Sequence, residues 1–168
     1  MSEEILSLIK SGAQENSEKQ KNEKKATWLI FAIGNQADGN NLYAIPSGYV
    51  KEILRDATIF PLPFVPPYMN GVLNRYGDPY VVIDPAIMEG KEAQKSFLFI
   101  VLNDESHTCF RITDVKEFFS ASEKDVVRFS EPETSEFYEG TLNVNGQDVF
   151  VLKVQAIMEK VGKEIAES

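Results

Sequence analysis

Residues 28–33 read Trp-Leu-Ile-Phe-Ala-Ile, an apolar run without a polar side chain. Successive side chains of a β-strand point to opposite faces, so such a run predicts a strand that is buried on both faces. A second run of this kind, Phe-Leu-Phe-Ile-Val-Leu, occupies residues 97–102. Each run opens a strand-rich half of the chain, and the two halves are similar in length. We therefore predict an all-β protein with short helices, built from two small barrels packed together.

Shorter strand signals and turn residues fill both halves. Asp38-Gly39-Asn40 is typical of a turn, and Gly77-Asp78-Pro79 indicates a hairpin connection. Asn145-Gly146 predicts a two-residue hairpin in the second half. The proline-rich stretch 61–67 is not expected to be a central strand, because proline lacks the N–H that a sheet ladder needs. Further strands are predicted over residues 42–45, 49–54, 57–60, 71–76, 80–83 and 108–115.

The two ends of the chain differ in character. Apolar residues at 154, 157, 158, 161 and 165 follow the spacing of one helix face and predict a C-terminal amphipathic helix. At the other end, Ile5, Leu8 and Ile9 favour a short helix, and residues 13–25 are almost entirely polar. We predict an N-terminal short helix and flexible linker over residues 1–25, and one folded domain over residues 26–168.

The charge distribution narrows the range of partners. The chain carries a net charge of −9, and the acids and lysines of residues 1–25 cancel, so the whole excess lies in the body. An acidic body repels phosphate backbones and anionic lipid, so nucleic acid is not expected as a partner. No apolar run approaches the length of about 20 residues that spans a bilayer, so direct membrane insertion is not expected either. The single cysteine, Cys109, fits a reducing compartment, and we predict a cytoplasmic protein.

Residue patterns that carry catalysis or hold a cofactor are missing from the sequence. It has no glycine-rich phosphate loop, and one histidine with one cysteine is too few for the usual zinc shell, so neither a cofactor nor a metal is predicted. His107 and Cys109 stand two apart on a predicted strand. Side chains at that spacing share a face but lie roughly 7 Å apart, beyond hydrogen-bond reach. We predict a non-enzymatic protein.

Six short stretches between Trp28 and Gly90 resemble, in order and spacing, the CheW-like domain of chemotaxis coupling proteins. The stretches are Phe31-Ala32-Ile33-Gly34, Tyr43-Ala44-Ile45-Pro46, Val50-Lys51-Glu52-Ile53, Pro61-Leu62-Pro63, Pro66-Pro67-Tyr68-Met69-Asn70-Gly71-Val72-Leu73-Asn74 and Val82-Ile83-Asp84. The resemblance implies two SH3-like five-stranded barrels around a shared core. It also implies an adaptor that couples methyl-accepting chemoreceptor tips to the regulatory domain of a chemotaxis histidine kinase, in a membrane-associated array.

The resemblance also implies where partners bind. The family's partner surfaces fall on Val50, Glu52, Ile53, Gly71, Val72 and Asn74 of this chain. Core packing stays open as an alternative for Val50, Ile53 and Val72, and backbone geometry for Gly71. On the contact interpretation, we expect Gly71→Asp to block a partner while leaving the fold largely intact.

One position departs from the family pattern in a way that affects the surface. The family's arginine, two residues after the asparagine, falls on Tyr76, while Arg75 stands one place earlier. Adjacent strand residues face opposite sides, so we expect Arg75 to point away from the surface and Glu52 to lack a nearby cation. Tyr76 would then offer partners an aromatic, less charged contact.

Two other functions remain open at this point. The first is a protein-interaction module of the same fold that serves another histidine-kinase pathway, or a structural component of an array. The second, from a different class, is a hydrolase whose site the sequence does not reveal.

Overall fold

The computed structural model describes residues 25–34, 41–131 and 135–167 and arranges them in two β-sheets followed by a helix. The strands are β1 (Lys25–Ala32), β2 (Leu42–Pro46), β3 (Val50–Arg55), β4 (Met69–Arg75), β5 (Asp78–Ile83), β6 (Leu98–Leu102), β7 (Thr108–Ile112), β8 (Asp114–Ser122), β9 (Val126–Arg128), β10 (Tyr138–Val144) and β11 (Gln147–Leu152). The α-helices are α1 (Pro85–Met88) and α2 (Val154–Glu167), and single 3-10 turns span Ser47–Tyr49 and Glu123–Asp125.

Residues 28–32 of β1 and 98–102 of β6 are buried on both faces, as their apolar runs predict, whereas Phe97 precedes β6 and is exposed. In β1, Trp28 and Ile30 belong to one hydrophobic cluster, while Leu29 and Phe31 belong to another. In β6, Phe99 and Val101 belong to a third cluster, while the other residues of this strand belong to the cluster that contains Leu29. Two of the clusters therefore fill the two barrels, and the third is a core that the barrels share.

The sheets have the same strand plan. Sheet A, with six strands, runs β8-β1-β2-β11-β10-β9, and sheet B, with five, runs β3-β6-β7-β5-β4. A single bridge between Phe60 and Val72 continues sheet B beyond β4, where sheet A has β9. The predicted fold of two packed SH3-like β subdomains with a C-terminal helix is confirmed. Two details of the structure differ from the expectation. Sheet A has six strands, not five, and among the described residues neither sheet closes into a complete ring of paired strands.

The shared plan reflects an internal repeat with exchanged strands. In sheet order, β1 and β2 of the first half correspond to β6 and β7 of the second, and β3, β4 and β5 correspond to β8, β10 and β11. Both halves also place Ala-Ile-Met just after the last strand, at residues 86–88 and 156–158. Sheet A nevertheless combines β1 and β2 with β8 to β11, and sheet B combines β6 and β7 with β3 to β5. Each barrel is therefore assembled from both halves of the chain.

The turn predictions had mixed outcomes. The hairpin at Asn145-Gly146 is confirmed, with both residues at positive φ. The hairpin predicted at 77–79 was placed wrongly, because Arg75 pairs with Asp78 and the turn consists of Tyr76 and Gly77. The strand predicted over 57–60 is reduced to the bridge at Phe60. The predicted N-terminal helix and the turn at 38–40 lie outside the described residues, so they stay predictions.

Gly71 and Gly140 occupy equivalent places in the two sheets, where a neighbouring chain passes very close. A Cβ on Gly71 would stand 2.2 Å from the carbonyl oxygen of Phe60, and one on Gly140 would stand 2.2 Å from that of Val127. Gly71 also has a φ of +142°, which L-residues rarely adopt. The expectation that Gly71→Asp spares the fold is therefore wrong, because a side chain there would displace the Phe60 segment.

We expect Gly71→Ala and Gly140→Ala each to destabilise the protein by about 1–3 kcal/mol, since a methyl group at either place is overpacked. The loss at Gly71 should be the larger, because its φ also disfavours alanine. Chemical denaturation measures both. The control is Gly162→Ala, on an exposed turn of α2 with open space around it, which should stabilise by about 0.5–1 kcal/mol. Equal stability of Gly71→Ala and wild type would contradict the close approach.

Candidate partner-binding surface

The predicted contact residues lie on the two edge strands of sheet B. Val50, Glu52 and Ile53 are on β3, Gly71, Val72 and Asn74 are on β4, and Tyr76 is in the turn that follows β4. These strands are the first and last of the sheet order, so they are not hydrogen-bonded neighbours. The sheet curls enough to bring a side chain of β3 into contact with one of β4.

A shift in register divides the β3 residues between two environments. The pairing of β3 with β6 slips by one residue between Val50 and Glu52. As a result Val50 and Ile53 both pack against the shared core. Glu52 pairs instead with Val101, which belongs to the interior of the barrel formed by sheet B, here called barrel B. The structure thus favours core packing for Val50 and Ile53 and leaves Glu52 as the predicted contact residue of β3 that lies outside the shared core.

Glu52 and Arg75 form a bidentate ion pair that joins the two edges of sheet B. The Arg75 Nε donates to one carboxylate oxygen of Glu52 at 2.5 Å, and Nη2 donates to the other at 2.8 Å. The side chains are 28% exposed for Arg75 and 26% for Glu52. The hydrogen bond from Arg75 lowers the pKa of Glu52 below its ordinary value of 4.5. The expectation that Glu52 lacks a cationic partner was therefore wrong.

Strand alternation explains why the two side chains meet. Arg75 lies two residues after Leu73, whose side chain fills barrel B, so Arg75 continues the inward-facing row at the end of β4. Glu52 faces the same interior from β3, two residues before Leu54. Arg75 does point away from the outer face of the sheet, as the sequence predicted. It is directed to the mouth of the barrel, where Glu52 also ends.

Tyr76 covers this ion pair from the solvent side. Its ring lies against the Arg75 guanidinium, with 4.2 Å from Cζ to the ring centroid, and its hydroxyl accepts from Nη2 at 3.0 Å. Tyr76 is 86% exposed and has a φ of +52°, an uncommon conformation for a bulky residue. The equivalent turn position in sheet A is Asn145, a residue well suited to that conformation. Tyr76 thus presents an open aromatic face that the fold does not require.

The remaining β4 residues have structural partners as well as exposure. Asn74 is exposed, and its side-chain oxygen accepts from the Gly77 N–H at 2.9 Å, which supports the turn. Val72 is half-buried, and its backbone exchanges hydrogen bonds of 2.7 and 2.8 Å with Phe60. Sequence reasoning missed Arg75 and Phe60 as parts of this surface. A signal for Arg75 was available, since residues 73 and 75 share a face of the strand.

The candidate nucleophile and base are kept apart. Cys109 is buried inside barrel B, and burial raises the pKa of its thiol to about 12. His107 precedes β7, is exposed, and has its ring 4.9 Å from that of Tyr80. The prediction that His107 and Cys109 share a strand face is therefore wrong, because His107 lies before β7 and is exposed. Among the described residues, no group of three or more histidine, cysteine or acidic side chains is placed to hold a metal.

Neither α1 nor α2 combines the length and apolar character that crossing a bilayer requires, and the described residues contain no other candidate.

Comparison with known proteins places these features in a family. A model described as the CheW-like domain matches residues 27–162. Among solved structures, the crystal structure of the scaffolding protein TtCheW from Thermoanaerobacter tengcongensis aligns with a TM-score of 0.67. The two chains are 20% identical, and the alignment covers 76% of this chain and 88% of the other. No curated protein gives a significant match.

We expect Glu52→Gln to lower the melting temperature at pH 7 by about 1–3 °C, because a partly exposed ion pair contributes little. Since the pKa of Glu52 is lower in the folded state, its stabilising effect is present above pH 4.5 and is lost as the pH falls through the folded value. The difference between variant and wild type should therefore vanish in acid.

The control for this experiment is Glu139→Gln, which removes the more exposed 3.0 Å pair with Arg128 in sheet A. That change should alter the melting temperature less than Glu52→Gln does at pH 7. A Glu52→Gln difference that persists unchanged down to the lowest pH at which the protein stays folded would show that the carboxylate charge is not what stabilises the mouth of the barrel.

Proposed function

This chain belongs to the CheW-like domain family, and from that premise we propose that it couples chemoreceptors to the regulatory domain of a chemotaxis histidine kinase. The match over residues 27–162 carries the proposal, and it makes the chain a chemotaxis scaffold or adaptor. The likeness to a scaffolding protein of the same fold supports it. In this role the protein works by holding partners together, at receptor arrays on the cytoplasmic side of the membrane.

The chemistry of the described residues supports a function without catalysis. A thiol whose pKa is raised to about 12 is almost wholly protonated at neutral pH and is a poor nucleophile. The exposed His107 lies before β7 and apart from this buried thiol. These features favour the adaptor over the hydrolase that the sequence left open.

The mouth of barrel B supplies the proposed contact surface. Glu52 and Arg75 neutralise each other, and Tyr76 lies on the pair as an exposed ring. Aromatic and arginine side chains are the residues most often found at energetically important positions of protein interfaces. We therefore assign Glu52, Arg75, Tyr76, Val72 and Asn74 to the contact, and Val50, Ile53 and Gly71 to the fold beneath it.

A second candidate is favoured by Tyr76. Where the family pattern has an arginine two residues after the asparagine, this chain offers a ring, and its arginine is held by Glu52. A partner selected by a free cation at that position would bind this surface less well. The alternative is therefore a scaffold of the same fold that serves a different histidine-kinase pathway.

We expect the purified protein to bind both the purified regulatory domain of the kinase and a receptor-tip fragment from its own organism in calorimetric titrations. Arg75→Gln should weaken at least one of these interactions about tenfold, because it leaves Glu52 unpaired and removes the support under Tyr76.

The control is Arg128→Gln, which breaks a comparable arginine–glutamate pair on sheet A and should leave both affinities unchanged. Folding of both variants is checked by circular dichroism. If the wild-type protein binds neither fragment, the proposed function is wrong. If it binds and Arg75→Gln binds equally well, the contact lies elsewhere on the molecule.

A further inference from the structure

The segment before and along β4 is free of charge in an otherwise highly charged protein. Residues 57–74 contain no aspartate, glutamate, lysine, arginine or histidine, although charged residues make up 26% of the chain. Much of this segment is nevertheless on the surface: Phe60 is 60% exposed, Leu62 39% and Phe64 99%. Contiguous exposed apolar side chains of this kind mark binding surfaces.

The loop that carries these side chains is fixed at both ends. At its start, Phe60 forms two backbone hydrogen bonds with Val72, at 2.7 and 2.8 Å. Near its end, the Met69 N–H donates to the carbonyl of Pro66 at 3.0 Å, and Val65 packs against the shared core. The prolines of residues 61–67 also restrict the backbone. The loop is thus held in one shape before any partner arrives.

Phe64 stands out within this fixed loop. Its φ is +57°, a conformation that bulky L-residues rarely adopt and that glycine or asparagine adopts easily. Its side chain is almost fully exposed, so it adds no buried apolar area to the folded protein. Folding therefore gains nothing from a phenylalanine at this position, whereas binding can gain from a ring that is already held outward.

We propose that Phe64 is a preformed anchor that inserts into an uncharged, apolar pocket on the regulatory domain of the histidine kinase. The loop is continuous with the proposed contact surface, since Phe60 is hydrogen-bonded to Val72 of that surface. A projecting ring binds in a concave pocket of its partner, and a globular domain can provide such a pocket. The net charge of −9 disfavours an anionic membrane as the alternative target. This inference rests on the proposed function and names one residue for it.

The test compares the wild-type chain with the variants Phe64→Asn and Phe64→Leu in titrations against the purified kinase regulatory domain. Asparagine suits the positive φ, so Phe64→Asn should melt at the same or a higher temperature while binding at least tenfold more weakly. Leucine keeps an apolar group at the tip, so Phe64→Leu should bind within a few-fold of wild type. Phe118→Thr is the control, because Phe118 is 57% exposed on β8 of sheet A, where threonine suits a strand. It should leave the affinity unchanged.

Each other outcome has a definite meaning. Binding of the kinase domain by Phe64→Asn as tight as that of wild type would overturn the anchor and leave the proposed function standing. If the wild type binds neither the kinase domain nor the receptor fragment, both the anchor and the proposed function are wrong. Sedimentation with phosphatidylcholine vesicles, with and without phosphatidylglycerol, is run in parallel. Vesicle binding that needs Phe64, without kinase binding, would assign the loop to a membrane surface instead.

Discussion

Residues 28–32 of β1 and residues 98–102 of β6 have no side that faces water, and the rest of the molecule is organised around that constraint. Each strand alternates between a barrel interior and the shared core, so the three hydrophobic clusters are joined through two pieces of backbone. Burying a large apolar side chain stabilises a protein by about 1.5–3 kcal/mol. The barrels cannot shift relative to each other without disturbing these strands. The same constraint positions the contact surface, because Glu52 is placed by its pairing with Val101 of β6.

The contact surface differs electrostatically from the rest of the body. Elsewhere the excess of acids keeps the protein in a strongly negative field, which discourages unspecific association. At the mouth of barrel B the Glu52 carboxylate is matched by Arg75, and the adjoining segment of residues 57–74 has no charge at all. A partner that docks on residues 57–74 therefore buries no charged side chain of that segment. Discrimination between partners then rests on shape and on aromatic contact.

Sequence reasoning was most reliable where one local signal determines the outcome. The two apolar runs predicted β1 and β6 because nothing but burial on both faces accommodates them, and Asn145-Gly146 predicted its hairpin because both residues tolerate positive φ. It failed at Tyr76, because a tyrosine in that conformation is unusual and the turn was assigned to the residues after it. The partnership of Glu52 with Arg75 was also missed. It depends on a register slip in β3 and on the curl of sheet B, and no single stretch of sequence encodes either.

The exchange of strands between the two halves has a consequence for how the protein is made. A ribosome releases β1 and β2 first, yet their sheet neighbours β8 and β11 begin only at Asp114 and Gln147. Until those segments emerge, the most apolar strand of the first half has no partner on one edge and little cover on the face that carries Trp28 and Ile30. Pairings over such distances in the chain form slowly, and exposed strand edges invite aggregation meanwhile. Strands β1 and β2 of the nascent chain therefore stay incompletely packed, and need shielding, until β8 and β11 have been synthesised, although every strand of sheet B is available by residue 112.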